Sequence, residues 1–282
     1  MDRDTQFLSA QRKYLLLCLL LLATTGCRAL ERKLVYGPPK YPHKWTSPTT
    51  SELEGLSFQD VYFNSSDGTE LNGWFVQPEG YDGSNAILFT HGRGINLGAV
   101  KSDLIKFVTL HQVPVFVFDY RGFGKSDGEP DEPGLYRDAT CARDWLVHRT
   151  GIAPNNIIIM GRSLGAAVAI DLASRDGAKA LILENGLTSV ADVARDHTHG
   201  LISGKRIVKA RFNSKSKIGR YSGPVFISHG KADKIIPFSH SVKLAESATS
   251  SSHIHFMELD GGHQTPSPEY YHASLQTFLK NL

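Results

Sequence analysis

The 282-residue sequence has few cysteines, little net charge and no long apolar run. Two of its three cysteines, Cys18 and Cys27, lie near the N-terminus, so Cys141 is alone in the body and cannot form an intramolecular disulfide there. A formal net charge of +3 is too small to indicate a nucleic-acid partner. No Gly-x-Gly-x-x-Gly or Walker motif and no metal-ligand spacing occurs, so we expect neither a cofactor nor a metal.

The longest apolar run is Tyr14–Ala23, which follows Arg12 and Lys13. Its ten residues fall short of the roughly 20 needed to cross a bilayer but suit the apolar core of a secretory signal. The segment that follows, Thr-Thr-Gly-Cys27, resembles the lipobox of bacterial lipoproteins, in which the cysteine is lipidated. We therefore predict a signal peptide and lipobox in residues 1–27, and a membrane-anchored protein in the periplasm or outer membrane. A plain signal peptide and an uncleaved signal anchor are the alternatives.

The rest of the chain divides into a tether and one domain. Residues 28–55 contain several prolines and show no apolar period, which predicts an extended tether. Leu56–Phe63 and Glu70–Val76 alternate apolar and polar residues, which predicts a hairpin of half-exposed strands at an antiparallel sheet edge. Buried strands and helices then alternate up to the C-terminus. This pattern predicts an α/β fold over residues 56–282, with a mostly parallel sheet of about eight strands, helices on both faces and a short cap insertion at about 189–223.

A serine lies at the turn between one predicted strand and the next helix. The apolar strand Asn156–Met160 leads into Gly161-Arg-Ser163-Leu-Gly165, and an alanine-rich helical run follows. The two glycines allow a sharp turn that holds the serine hydroxyl at the end of the strand and the N-terminus of the helix. This arrangement predicts that Ser163 is a nucleophile, whereas an ordinary serine in a glycine turn is the alternative.

Two further strand ends carry the residue types that would activate such a serine. Asp233 follows the predicted strand 224–228, and His263 follows the last strand on a glycine loop. Histidine can accept the serine proton near neutral pH, and the aspartate can orient the imidazole. An oxyanion needs two N–H donors, for which we expect the backbone amides of Leu164 and Arg93.

Other polar residues at strand ends have weaker claims to a catalytic role. Glu184 also follows a strand and is an alternative acid to Asp233. We expect Asp119 to fix its loop by pairing with Arg121, and we expect a structural hydrogen bond from His229.

Five motifs together resemble the α/β-hydrolase superfamily over roughly residues 56–282. They are His91-Gly-Arg-Gly94, Asp119-Tyr-Arg-Gly-Phe-Gly-Lys-Ser-Asp-Gly128, Gly161-Arg-Ser-Leu-Gly165, His229-Gly-Lys-Ala-Asp233 and Gly262-His263. They are most similar to the small-capped, membrane-tethered branch of abhydrolase-domain proteins and its bacterial lipoprotein relatives. That branch includes acyl-protein depalmitoylases and lipid esterases, so the resemblance implies hydrolysis of carboxylic esters or thioesters. Arg93 stands where several relatives in this branch have asparagine.

These observations predict a serine hydrolase in which Ser163, Asp233 and His263 act through an acyl-enzyme. Its substrate would be a small acyl ester or thioester, or a lipid or acylated protein, and lipidated Cys27 would hold it at the membrane. A peptidase or amidase using the same three residues is one alternative. A non-catalytic surface protein that keeps the fold is the other, although such a protein has no need of the three residues together.

Overall fold

The computed structural model describes residues 28–198 and 209–282. The predicted signal peptide and lipobox, including Cys27, lie outside the described residues, as does the part of the predicted cap at 199–208. Eight strands form one sheet in the order β1-β2-β4-β3-β5-β6-β7-β8. They are β1 Leu56–Asn64, β2 Glu70–Pro78, β3 Ala86–Thr90, β4 Val115–Phe118, β5 Ile157–Arg162, β6 Leu181–Glu184, β7 Val225–Gly230 and β8 Ile254–Leu259.

Helices cover both faces of this sheet, as the alternating pattern predicts. They are α1 Leu97–His111, α2 Glu132–Thr150, α3 Leu164–Asp176, α4 Val190–His197, α5 Ser214–Ile218, α6 Ser239–Ser247 and α7 Glu269–Lys280. Apolar residues of α2, α3, α5 and α6 form one core with the sheet, and those of α1 and α7 form a second core on the other face. The prediction of a mostly parallel α/β sheet of about eight strands is therefore confirmed.

The central strands are apolar at nearly every position because both of their faces are covered. All five residues of β3 are buried, and β5 is buried from Ile157 to Gly161. Strands β3 to β8 all run parallel to one another, and β2 pairs antiparallel with β4. The carboxyl ends of the parallel strands therefore meet at one edge of the sheet, where ligands bind in folds of this kind.

The hairpin of β1 and β2 differs from its prediction in one respect. The antiparallel pairing and the edge position of β1 are found, and β1 is partly exposed. β2, however, pairs with β4 on its other side and is buried over most of its length. Trp74 and Phe75 belong to the two different cores, so this strand is covered on both faces and is not half-exposed.

The prediction of an extended tether over residues 28–55 is wrong for the part that packs on the domain. Arg32–Tyr36 forms a short helical turn in which Val35 and Tyr36 are buried, and Thr50–Leu53 forms another. Trp45 lies edge-on against Trp74, with 5.3 Å between the ring centres. These apolar residues are too widely spaced in the sequence to show a helix or strand period, but each packs against one of the two cores. We call residues 31–41 the N-terminal arm.

Within residues 28–198 and 209–282, no helix has the length and apolar character needed to cross a membrane. Between β6 and β7, in the region of the predicted cap, the described chain forms helices α4 and α5.

Candidate active site

Ser163 lies at the tight crossing between β5 and α3. Its backbone is left-handed, with φ 56° and ψ −119°, and the residue is 5% exposed. A Cβ on Gly161 would lie 2.4 Å from the carbonyl oxygen of Gly165, and one on Gly165 would lie 1.9 Å from that of Thr90. Both glycines are therefore required by the close approach of backbone to backbone. The crossing holds the serine in a strained conformation of the kind found at nucleophile elbows.

The structure brings Ser163, His263 and Asp233 into one hydrogen-bonded chain. His263 Nε2 lies 3.0 Å from Ser163 Oγ, and its Nδ1 lies 2.6 Å from Asp233 Oδ2. Because Nδ1 faces a carboxylate, which only accepts, it carries the ring proton and leaves Nε2 free to accept from the serine hydroxyl. The three residues predicted from separate strand ends thus lie in the geometry of a nucleophile, a base and an orienting acid.

Several donors surround the carboxylate of Asp233. The amides of Ile235 and Ile236 donate to its Oδ1 over 2.8 and 2.9 Å. Burial alone would raise the pKa of Asp233, but the hydrogen bonds from His229, His263 and Ile236 hold that pKa well below its usual range. The carboxylate is therefore ionised at neutral pH, as an acid that stabilises an imidazolium must be.

The structural hydrogen bond expected for His229 is present, and this side chain also supports Asp233. Its Nε2 faces the Ile236 carbonyl oxygen at 2.8 Å and Asp233 Oδ2 at 3.2 Å. Both groups are acceptors, so Nε2 carries the proton, and Nδ1 accepts from the Ser241 hydroxyl over 2.6 Å. His229 thus holds the loop and its carboxylate from behind.

The two amides predicted to bind an oxyanion lie beside the serine. The loop after β3 runs against it, since a Cβ on Gly92 would lie 3.3 Å from Ser163 Cβ. Within the described chain, the amide of Arg93 donates no hydrogen bond, and Leu164 begins α3, so its amide has no partner in the helix. Their role in binding an oxyanion stays a prediction.

The Arg93 side chain reaches the N-terminal arm. Its Nη2 donates to the carbonyl oxygen of Lys33 in the N-terminal arm over 3.1 Å.

Glu184, the alternative acid, is engaged elsewhere. Its Oε2 accepts from Arg162 Nε over 2.6 Å, and the Tyr271 hydroxyl donates to its Oε1. Its backbone carbonyl accepts from the amide of Ser163 over 2.9 Å. Burial and the nearby Glu184 carboxylate raise the pKa of Tyr271, which keeps the phenol a donor. Glu184 therefore supports the serine turn, and in the described chain no hydrogen bond joins it to His263.

The expected pairing of Asp119 with Arg121 is wrong. Asp119 Oδ1 accepts from the Leu97 amide over 3.1 Å and lies 3.4 Å from Nε2 of the buried His91. Arg121 lies in the loop between β4 and α2, and its Nη2 pairs instead with Oδ1 of Asp138 in α2 over 2.7 Å. Asp138 is fully buried, so its charge requires a cation nearby, and sequence proximity could not indicate this partner.

Asn185 is a residue of the site that the sequence patterns did not single out. Its φ is +48°, a conformation that asparagine tolerates better than most residues. Its Nδ2 donates to the carbonyl oxygen of His263 over 3.1 Å, and its Oδ1 accepts from the Gly230 amide over 3.0 Å. The side chain therefore ties the histidine loop to the end of β7. An asparagine directly after a buried strand is the only signal that could have indicated it.

A cavity of about 370 Å³ opens beside Ser163. Most of its lining is apolar and comes from α4, from the loop after β7 and from the N-terminal arm. No group of three or more His, Cys, Asp or Glu side chains in residues 28–198 and 209–282 is placed to hold a metal ion.

Comparison with known proteins agrees with this architecture. The family model described as serine aminopeptidase, S33, matches residues 83–218, a range that contains Ser163 but ends before Asp233 and His263. The Escherichia coli K12 protein YfhR is 35% identical over 195 residues, which cover 67% of each chain. Human alpha/beta hydrolase domain-containing protein 17B is 39% identical over 162 residues, or 57% of this chain and 54% of that protein.

A solved structure shares the fold at lower identity. The Pyrococcus furiosus esterase Pf2001 superimposes with a TM-score of 0.70 and 20% identity, covering 86% of this chain and 98% of that one. Together with the sheet order and the relatives above, this places the chain: it belongs to the α/β-hydrolase superfamily.

Proposed function

We propose that the protein is a serine hydrolase that cleaves carboxylic esters or thioesters. The observation that carries this proposal is the chain of hydrogen bonds from Ser163 through His263 to Asp233, with distances of 3.0 and 2.6 Å. A serine hydroxyl is a weak nucleophile until a base accepts its proton, and His263 is placed to do so. The ionised Asp233 fixes the imidazole tautomer and stabilises the imidazolium that forms.

The reaction would proceed in two halves. Ser163 Oγ attacks the carbonyl carbon while His263 Nε2 takes the hydroxyl proton, and the amides of Arg93 and Leu164 bind the oxygen that becomes negative. The tetrahedral intermediate expels an alcohol or thiol, which receives the proton from His263. Water, activated by the same histidine, then attacks the acyl-enzyme and releases the acid.

The lining of the cavity supports an acyl group as the part of the substrate held beside the serine. Most of the lining offers apolar contact, although Arg93 and His197 also belong to it; the apolar members include Leu164, Leu187, Val190, Val193 and Ile236. Such a surface favours a hydrocarbon chain over a charged peptide segment.

A peptidase or amidase remains a second candidate because the matching family is described as serine aminopeptidase. Turnover of aminoacyl p-nitroanilides against p-nitrophenyl esters of the same acyl groups separates the two. A higher kcat/KM for the anilides would favour the peptidase.

We also propose that the chain is exported and held at a membrane by lipidated Cys27, which would bring it to acylated proteins or lipids. The support is the sequence of residues 1–27. Incorporation of an alkyne fatty acid by the wild-type chain and its loss in Cys27→Ala, with Cys141→Ala as control, would test this.

The decisive experiment uses the full chain, purified in detergent, and a fluorophosphonate probe that reacts with activated serines. We expect labelling of the wild type and of Ser51→Ala, an exposed serine far from the site in sequence, and none of Ser163→Ala or His263→Ala. Labelling that persists in a folded Ser163→Ala would contradict the proposal. A folded wild type that neither labels nor hydrolyses esters would favour a non-catalytic protein.

A further inference from the structure

The N-terminal arm forms part of the cavity at Ser163. Leu34 and Val35 line it together with Val190, Val193 and Ala194 of α4, and Ser163 lies in the same cavity. Val35 is 6% exposed, whereas Leu34 is 53% exposed and so stands at the mouth. Both residues precede β1, so they lie outside the strands, helices and loops that supply the rest of the cavity lining.

The arm is attached to the loop that is expected to bind the oxyanion. The amide of Gly94 donates to the Tyr36 carbonyl oxygen over 3.0 Å, and the Arg93 guanidinium donates to the Lys33 carbonyl oxygen over 3.1 Å. Both bonds come from residues directly after Gly92, which lies against the serine. The wall of the cavity and the oxyanion loop are therefore joined.

A second set of contacts holds the other side of the arm. The carboxylate of Glu31 accepts from the amides of Ala210 and Lys209 over 2.9 and 3.1 Å. The buried Tyr36 ring packs edge-on against Phe212, with 6.0 Å between the centres. The arm is thus fixed between the oxyanion loop and the segment that leads to α5, and it cannot leave the cavity without breaking these contacts.

We infer that the N-terminal arm is the outer wall of an acyl-chain site and that Leu34 sets the length of chain the enzyme prefers. The inference rests on the proposed function, because it names the substrate part that fills the cavity. An apolar cavity of roughly 150 Å³ suffices for benzene. The cavity of about 370 Å³ is about two and a half times as large, so by the same measure it has room for a chain of up to roughly fifteen carbons.

Arg93 has a positioning role in this arrangement. It follows Gly92, which lies against the serine, while its side chain bonds to the arm, so replacing the side chain removes the link and keeps the backbone amide. The arginine side chain is long enough to reach the arm, whereas an asparagine at this position would be too short. This gives a physical reason for the arginine.

The test measures kcat/KM of the full chain in detergent for p-nitrophenyl esters from acetate to palmitate. Leu34→Trp fills the mouth, so we expect the ratio of the laurate rate to the acetate rate to fall by about tenfold, the size of effect that a pocket exerts on one or two methylenes. Leu34→Ala should move the optimum towards longer chains. Leu30→Ala is the matched control, because Leu30 is 49% exposed, precedes the arm and does not line the cavity.

The link through Arg93 is tested with two variants of that residue. Arg93→Ala should raise KM for laurate several-fold relative to KM for acetate, whereas Arg93→Lys, which keeps a donor, should restore part of the affinity for laurate. In the double variant with Leu34→Ala the effects should not add, because residues that act through one element couple. Additive effects would mean that Arg93 does not act on the acyl-chain site through the arm.

The outcomes separate the two proposals. An active wild type whose chain-length profile is unchanged in Leu34→Trp and Leu34→Ala would overturn the inference and leave the serine hydrolase intact. A folded wild type with no ester hydrolysis and no fluorophosphonate labelling would overturn both. A shifted profile in the Leu34 variants with an unshifted Leu30→Ala would support both.

Discussion

Two buried carboxylates lie at the ends of neighbouring strands, and their surroundings differ. Asp233, after β7, contacts two histidines and two backbone amides. Glu184, the last residue of β6, contacts Arg162 and the hydroxyl of Tyr271. Both are less than 8% exposed, so burial does not distinguish them.

The partners decide what each carboxylate can do. Asp233 is bonded to a ring whose other nitrogen reaches the serine, so in the proposed reaction its charge would act on the proton that moves. Glu184 neutralises a permanently charged guanidinium, and its backbone carbonyl holds the serine amide, so its effect is on the shape of the turn. A strand end thus supplies a position, whereas the neighbouring side chains determine the role.

The largest expected effect tests the role of Asp233. Asp233→Asn removes the charge and favours the wrong imidazole tautomer, so we expect kcat to fall by about 10⁴-fold with the fold intact. Ester hydrolysis and thermal unfolding of the two proteins, measured side by side, check this. A fall of less than about tenfold would mean that another group orients His263.

Glu184→Gln should reverse this pattern of effects. It removes the buried carboxylate from Arg162 and leaves the guanidinium its more exposed partner Asp103, so the free energy of unfolding should fall by about 1.5–3 kcal/mol, the usual contribution of a hydrogen bond to a charged group. We expect kcat to change by less than about tenfold, because His263 keeps its partner. Urea unfolding and kcat measure the two effects. A well-folded but inactive variant would assign the acid role to Glu184.

Asn185→Gly tests whether the residue that follows Glu184 positions the base His263. Glycine keeps the left-handed backbone and removes only the bonds to His263 and Gly230. We expect kcat to fall by about tenfold with KM unchanged, since one side-chain hydrogen bond is worth about 1 kcal/mol and positions the base. A loss of stability without any loss in kcat would mean that Asn185 stabilises the fold and does not position His263.

The smallest expected effect concerns a hydrogen-bonded pair of histidines, the buried His111 and the partly buried His272. His111 Nε2 lies 3.1 Å from His272 Nδ1, and burial together with His272 lowers the pKa of His111 to about 4. The unfolded chain binds this proton below about pH 6.5 but the folded chain does not until about pH 4. Stability should therefore be full above about pH 6.5 and fall as the pH drops towards 4.

His111→Phe should flatten this fall, and His148→Gln, at an exposed histidine on α2, should not. Urea unfolding of the three proteins between pH 7 and pH 4.5 measures the slopes. Parallel slopes for the wild type and His111→Phe would show that other groups cause the loss.

The sequence patterns predicted the parts of the fold whose signals are local. Continuous apolar runs such as Ile157–Met160 indicate buried parallel strands, and Ser163, Asp233 and His263 each follow the end of a parallel strand. The structure places those three side chains in contact, while their catalytic role stays a prediction.

What the patterns missed depends on long-range packing. β2 is buried because β4 pairs with it, and Val35 is buried because it packs into the core that α2 and α3 form with the sheet. Arg121 reaches Asp138, a partner that the chain order does not indicate. Asn185 acts through its side chain on a loop 78 residues away.

The two glycines that flank the serine turn bear on how relatives of this chain can be interpreted. Gly161 and Gly165 are imposed by the crossing of backbone over backbone, where no side chain fits. A relative that had lost all chemistry but kept the crossing would still need both glycines, and only Ser163, Asp233 and His263 would be free to drift. The two glycines therefore indicate shared fold and ancestry but not activity. A search for active enzymes in this superfamily should be scored on the positions of Ser163, Asp233 and His263.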